Sequence, residues 1–191
     1  MKRVYLFLAY GFEEVEALTA VDLLRRAGIQ VITVSVTGND IVTGAHKIPV
    51  VADIKIDNGA FGDADAFIIP GGQPGVDNLY ECKEFLSVIT NAYKNNKLVC
   101  AICAAPMLLG RLGLLEGKKA TCYPGCESEL TGADISEDSV CVDGNIVTSS
   151  DTRSFFAGNS FYTTSANRMS RHLFPNAVTD KDVITLCNKN L

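Results

Sequence analysis

The sequence contains no apolar run approaching the ~18 residues that a membrane-spanning helix requires, so no membrane segment is expected. It has no Lys/Arg-rich run and no basic helix, and its net charge is -5. Nucleic acid and anionic membranes are therefore poor partners on charge alone. Neither G-x-G-x-x-G nor G-K-[ST] occurs, which removes the usual backbone cradles for nucleotide phosphates. Histidine is scarce: only His46 and His172 are present. That is too few to complete a zinc site around Cys122 and Cys126, so no metal and no other cofactor is expected. The start, Met1-Lys2-Arg3 followed by Val4–Leu8, has the outline of a secretion signal. The apolar run is short, acids follow at Glu13, Glu14 and Glu16, and no small-residue cleavage site appears. It reads as a first core strand of a cytoplasmic protein.

What is present fits a globular α/β chain. The 191 residues are 47% hydrophobic and 20% charged, suited to a single domain over 1–191. Val4–Leu8, Val31–Val36, Ala66–Ile69 and Leu98–Ile102 are short apolar runs of the kind buried on both faces of a parallel sheet. Glu13–Ala27 carries a helical stripe of Ala17, Ala20, Val21, Leu24 and Ala27, closed by Gly28. Helices are also expected over Glu81–Asn95, over Ala104–Leu112 with Pro106 in the first turn, and over Ala157–Leu173 and Asp180–Asn188. Ile41 to Val51 suggests a small hairpin broken at Thr43-Gly44. Val140–Val142 and Ile146–Thr148 flank Asp143-Gly144, a second hairpin. The β-α-β alternation predicts a doubly wound, mostly parallel sheet with helices on both faces. Ligands of such sheets bind at the carboxyl ends of the strands.

Seven cysteines, an odd number without framework spacing, argue against a secreted disulfide scaffold. Cys100 and Cys103 form a C-x-x-C, but Cys100 lies inside a strand, which disfavours a thioredoxin-like pair. Cys103 ends that strand where a helix is expected to open. Unpaired N–H groups and a helix dipole there would favour thiolate; the competing reading is a buried structural cysteine. Glu16 lies beside the apolar stripe of the first helix. It is either a protonated carboxyl able to donate to a thiolate or an acid favoured by the helix dipole, as Glu13 and Glu14 are expected to be. Gly71-Gly72, after a strand, either presents N–H groups to an oxyanion or makes a turn needing positive φ.

The segments AYGFEEVEA (Ala9–Ala17), VDLLRRAG (Val21–Gly28), IPGGQPGVDNL (Ile69–Leu79), VCAICAAP (Val99–Pro106) and KATCYP (Lys119–Pro124) resemble, in order over about the first 150 residues, the ThiJ/PfpI superfamily on its DJ-one branch. The resemblance implies a flavodoxin-like sandwich and a homodimer. It implies Cys103 as nucleophilic and oxidisable cysteine, Glu16 as its protonated partner, and Gly72 and Ala104 as N–H donors beside the sulfur. Gly71, Tyr123 and His46 become possible pocket residues, His46 through a hairpin that in relatives approaches the site from the partner subunit; a surface histidine is the alternative.

Three positions depart from family patterns. Ala104 stands where the protease-type and chaperone-type branches carry His, which leaves no Cys-His dyad there. Tyr123 stands where animal members carry His, and a phenol is a poorer base near neutrality. Ser150-Asp151-Thr152-Arg153-Ser154 replaces a Gly-Pro-Gly loop that helps wall the pocket. The expected function is a cysteine-dependent, glutathione-independent glyoxalase or deglycase acting on a small aldehyde or dicarbonyl. The alternative is a redox sensor or redox-regulated chaperone using Cys103 sulfinate. A role in thiamine biosynthesis is a third reading, with no thiazole- or phosphate-binding feature behind it.

Overall fold

The structure, a computed structural model, describes residues 2–150. The two expected C-terminal helices, Cys187, and the Ser150–Ser154 loop beyond its first residue lie outside the described residues.

The elements run β1 (Arg3–Leu8), α1 (Glu14–Arg26), β2 (Gln30–Ser35), β3 (Ile41–Thr43), β4 (Pro49–Val51), β5 (Ile54–Lys55), β6 (Ala66–Ile69), α2 (Gly75–Glu81), α3 (Lys83–Lys94), β7 (Leu98–Ile102), α4 (Pro106–Arg111), β8 (Lys119–Ala120), β9 (Asp134–Ile135), β10 (Val140–Asp143) and β11 (Ile146–Ser149). Seven strands form one sheet in the order β10-β11-β7-β6-β1-β2-β5. Every neighbouring pair is parallel except β10 with β11, which close as the expected hairpin. The sheet is mostly parallel and doubly wound, as the alternation of elements predicts.

Alternation along each strand sends side chains to two cores. Tyr5 and Phe7 of β1 join Phe67, Val99 and Ala101 beneath α2, α3 and α4. Val4, Leu6 and Leu8 join Ile68 and Cys100 beneath α1. Phe7 is fully buried and meets the Phe85 ring edge-on at 4.9 Å. Burying such a ring stabilises by about 1.5–3 kcal/mol. The β3–β4 hairpin stands apart from the main sheet and folds back over the start of α1.

Two expected boundaries shift. The helix expected over Glu81–Asn95 is α3, which starts at Lys83 because an extended backbone at Cys82 (φ -84, ψ 102) separates it from α2, a preceding helix that the sequence reading did not include. The helix expected from Ala104 begins at Pro106 and has only 6 residues. Residues 103–105 form a turn instead, with Ala105 N–H donating to Ile102 O at 2.9 Å and Met107 N–H to Ala104 O at 3.1 Å.

Candidate active site

Cys103 follows the last residue of β7, at the carboxyl edge of the sheet. Its φ is +61°, in the left-handed region where a side chain is strained by about 1–3 kcal/mol. Two main-chain bonds hold it there. Its N–H donates to Ser149 O of β11 at 2.8 Å, and its carbonyl accepts the Tyr123 N–H at 2.7 Å. The strained turn lifts the side chain out of the strand's own alternation and leaves the residue half-buried. The short α4 supplies a weaker dipole than the sequence pattern suggests, because a 6-residue helix starting three residues after the cysteine aligns few peptides.

Two other elements close on this turn. β6 ends at Ile69, and Gly71 in the loop after it packs directly against the cysteine. A Cβ on Gly71 would lie 2.8 Å from Cys103 Cβ, 2.8 Å from Glu16 Oε2 and 3.1 Å from Ile102 O. The Gly71 N–H donates to Glu16 Oε2 at 2.7 Å, and its carbonyl accepts the Glu13 N–H at 2.9 Å. The loop is thus fastened to the start of α1 through both the N–H and the carbonyl of one residue. Glu16 itself is 3% exposed. A carboxyl so buried keeps its place through such bonds, since an unsatisfied one is costly. Glu16, Gly71 and Cys103, three of the residues singled out from sequence, therefore meet in one cluster. Gly72, at φ +96°, sits so tightly on α1's approach that a Cβ would come within 2.4 Å of Glu13 N. Ala104 is buried beside the cysteine. Tyr123 reaches the cluster through its backbone, with a half-buried side chain.

Four other cysteines are held as thiols by their surroundings. Burial pushes the Cys100 thiol far up. Burial, then the negative charge of Glu127 and the neighbouring Cys126, pushes Cys122 up to about 12. Burial also raises Cys126 and Cys82. All four are poor thiolates at neutral pH.

His46 is a surface residue, its side chain 68% exposed, and its contacts are with the N-terminus of α1. Its Nδ1 lies 2.9 Å from Glu14 Oε2 and 3.6 Å from Glu13 Oε2, while its backbone N–H donates to Glu14 Oε1 at 2.8 Å. The Ile48 N–H also reaches Glu14 Oε1, at 3.4 Å. Glu14 lies in the first turn of α1, as the helix-dipole reading expects, and is in addition buried, at 3% exposed. Burial alone would raise this carboxyl, but the hydrogen bonds from His46, from its own backbone and from Ile48 outweigh that and hold it below its usual range. His46 is raised in turn by its bond to Glu14, then by the charges of Glu13 and Glu14. The only clue in the sequence is Gly44, where a Cβ would collide with the Glu14 carboxylate.

The DJ-1/PfpI family model matches residues 2–164. The chain belongs to the DJ-1/PfpI family. It is 40% identical over 150 residues to Protein DJ-1 homolog B of Arabidopsis thaliana, covering 78% of this chain and 34% of that protein. It is 33% identical over 152 residues to the Parkinson disease protein 7 homolog of Danio rerio, covering 78% of this chain and 80% of that one. The chain thus spans about a third of the length of the Arabidopsis DJ-1 homologues and most of the fish relative. Among solved structures, a DJ-1 superfamily protein from Salmonella typhimurium superposes with a TM-score of 0.86 at 29% identity, covering 99% of this chain and 97% of that one. Drosophila melanogaster DJ-1beta superposes at 0.84 and 28%, covering 98% and 96%. The flavodoxin-like sandwich expected from the sequence motifs is the fold of these DJ-1 relatives. Among the described residues, no helix is long and apolar enough to cross a membrane.

Proposed function

We propose that this DJ-1/PfpI chain is a cysteine-dependent protective enzyme that acts on small reactive dicarbonyls, without metal or glutathione. The observation that carries the reading is the convergence of a strained Cys103 with a buried Glu16 on the one residue Gly71. A nucleophile, a carboxyl and a backbone-lined turn are what addition to an aldehyde requires. In the proposed step, the Cys103 thiolate adds to the aldehyde carbon of methylglyoxal. The resulting oxyanion, held by the Gly72 and Ala104 N–H groups, takes up a proton as hemithioacetal. Glu16 then moves the C1 proton to C2 while the C1 hydroxyl proton passes to the C2 oxygen, which converts the adduct to a lactoyl thioester. Water hydrolyses it to lactate and returns the thiol, so no outside oxidant or reductant is needed. With Ala104 following the cysteine, the chain lacks a Cys-His dyad at that position, and peptide hydrolysis is not proposed.

One observation favours a second reading. A buried carboxyl beside a half-buried cysteine can hold a sulfinate as well as a thiolate, and the Toxoplasma gondii DJ-1, 29% identical to this chain, has been solved in an oxidised form. In that reading Cys103 is a redox sensor. For either, we place the protein in the cytoplasm as a homodimer. Support for the dimer comes from exposed Val15 and Leu18 on α1 beside exposed Ile41, Ile48 and Val51 on the hairpin, a patch suited to a second copy. The test is methylglyoxal loss and lactate formation by wild type, Cys103→Ser and peroxide-treated protein, with client aggregation measured on the same samples. Turnover by the reduced wild type alone supports the enzyme. Turnover no greater than that of Cys103→Ser, with client protection only after oxidation, replaces it with the sensor.

A further inference from the structure

We infer that the cleft at the amino edge of the sheet, between α3 and the turn before β6, is a binding site for a small aromatic carboxylic acid, remote from the Cys103 cluster. Lys97 precedes β7 and Cys103 follows it, so the two lie about 20 Å apart along one extended strand. The cleft has a volume of about 530 Å³, inside the range of about 300–1,000 Å³ that small-molecule sites occupy. Its lining is largely apolar. Phe61 and Phe67, with ring centroids 6.4 Å apart and planes tilted by 57°, meet Val88 and Ala92 of α3 there. Phe67 and Ala92 are buried, while Phe61 and Val88 are half-buried. Two rings set at such an angle offer a third ring both an edge and a face.

Two polar side chains of the same cleft, those of Lys97 and Asn91, are left for a ligand. Lys97 is half-buried, and its ammonium makes no ion pair or hydrogen bond among the described residues. Asp65, which senses its charge, is held instead by the Lys2 ammonium and the Arg3 N–H, each at 2.8 Å. The Asn91 carboxamide likewise has no partner among the described residues. An ammonium beside apolar surface gains more from a carboxylate than one in open water does. The backbone beneath these groups is fixed. The Lys97 N–H donates to Ala92 O at 2.9 Å and Asn95 Nδ2 to Asn91 O at 2.8 Å, while Asn145 Nδ2 donates to Tyr93 O at 3.1 Å and Lys97 O at 3.0 Å. These bonds cap the last carbonyls of α3, so Lys97 is the local charge that a ligand meets. The C-terminal end of a helix still disfavours dense anions. One ammonium and one amide therefore suit a singly charged carboxylate better than a phosphate, which calls for more donors. The inference depends neither on dicarbonyl chemistry nor on the face formed by α1 and the hairpin.

NMR titration of the backbone amides of the full chain with sodium hydrocinnamate tests it, on wild type, Cys103→Ser and Lys97→Gln, with hydrocinnamamide as the uncharged probe. The expected result is saturable shifts of the Gly62, Asn91, Asn95 and Lys97 amides in wild type and Cys103→Ser alike. Half-saturation should come at about 1 mM or below, as a probe of this size can reach. Affinity should fall at least fivefold in Lys97→Gln, and at least fivefold when wild type is given hydrocinnamamide in place of the acid. Lys97→Gln breaks no side-chain bond among the described residues, and the amide probe needs no altered protein. Shifts that do not saturate, shifts confined to residues around Cys103, undiminished affinity in Lys97→Gln, or equal affinity for the acid and the amide would each overturn the assignment.

Discussion

Replacing Gly71 by alanine is the sharpest probe of the cluster. Its backbone does not require glycine by φ, so the effect isolates packing. The added carbon would sit 2.8 Å from both Cys103 Cβ and Glu16 Oε2, against an ordinary contact of 3.4–4 Å. About 0.6 Å must therefore be found on each side, and overpacking of this kind costs about 1–3 kcal/mol. The cysteine side cannot yield freely, because its turn is fixed by bonds of 2.8 and 2.7 Å to Ser149 and Tyr123. Glu16 yields instead and loses its 2.7 Å bond from the Gly71 N–H. A buried amide-to-carboxyl bond adds about 1.5–3 kcal/mol when broken. Part of the first cost is relieved by the second, so the net expectation is a loss of about 2–4 kcal/mol in urea unfolding, large against typical stabilities of about 5–15 kcal/mol. Iodoacetamide labelling of Cys103 at pH 7 should slow at the same time, as the carboxyl leaves the sulfur. Stability within about 0.5 kcal/mol of wild type together with an unchanged labelling rate would refute the claimed contact.

Three further outcomes follow from the same geometry. Brief iodoacetamide treatment at pH 7, read by mass spectrometry, should label Cys103 before Cys82, Cys100, Cys122 and Cys126, whose thiols burial pushes up; faster labelling of Cys122 contradicts it. Glu16→Ala should slow Cys103 labelling and destabilise by about 1–3 kcal/mol, because the Gly71 N–H loses its buried acceptor; an identical labelling rate shows that the two residues do not communicate. The contact of His46 with Glu14, which fastens the hairpin to α1, should make stability pH-dependent. The raised pKa of His46 means that its contribution is fully present below the unfolded value near 6.5 and is lost as pH rises through the folded value, while the lowered pKa of Glu14 means that its share is lost as pH falls through the carboxylate range. The difference in urea midpoint between wild type and His46→Gln should therefore shrink between pH 6 and pH 9, and a constant difference would exclude the ionic part of the clasp.

The central strands were legible because burial on both faces demands unbroken apolar runs, and Val4–Leu8, Ala66–Ile69 and Leu98–Ile102 supply them. Glu16 was legible because it neighbours the stripe of α1. What was illegible depends on distant chain. Glu14 is buried by the hairpin folding over it, and no local pattern announces a partner 32 residues away. The two-residue strands β5, β8 and β9 exist only through their pairing. The shift of α4 to Pro106 follows from the left-handed Cys103 turn, and a non-glycine residue at φ +61° has no sequence signature.

That turn has a consequence at the margin of the sheet. Cys103 is tied to the carbonyl of Ser149, and Ser149 in turn is steadied by its neighbour across the hairpin, with its own hydroxyl and the Ser150 N–H both donating to Ser139 O at 3.1 Å. Among the described residues β10 is the outermost strand on that side, the kind of edge that opens locally before a domain unfolds. Peeling β10 loosens β11, and the strained residue then loses one of the two restraints that keep it out of a relaxed conformation. The geometry of the thiol is therefore only as secure as the margin of the sheet: whatever loosens that edge also loosens the cysteine, while most of the core still stands.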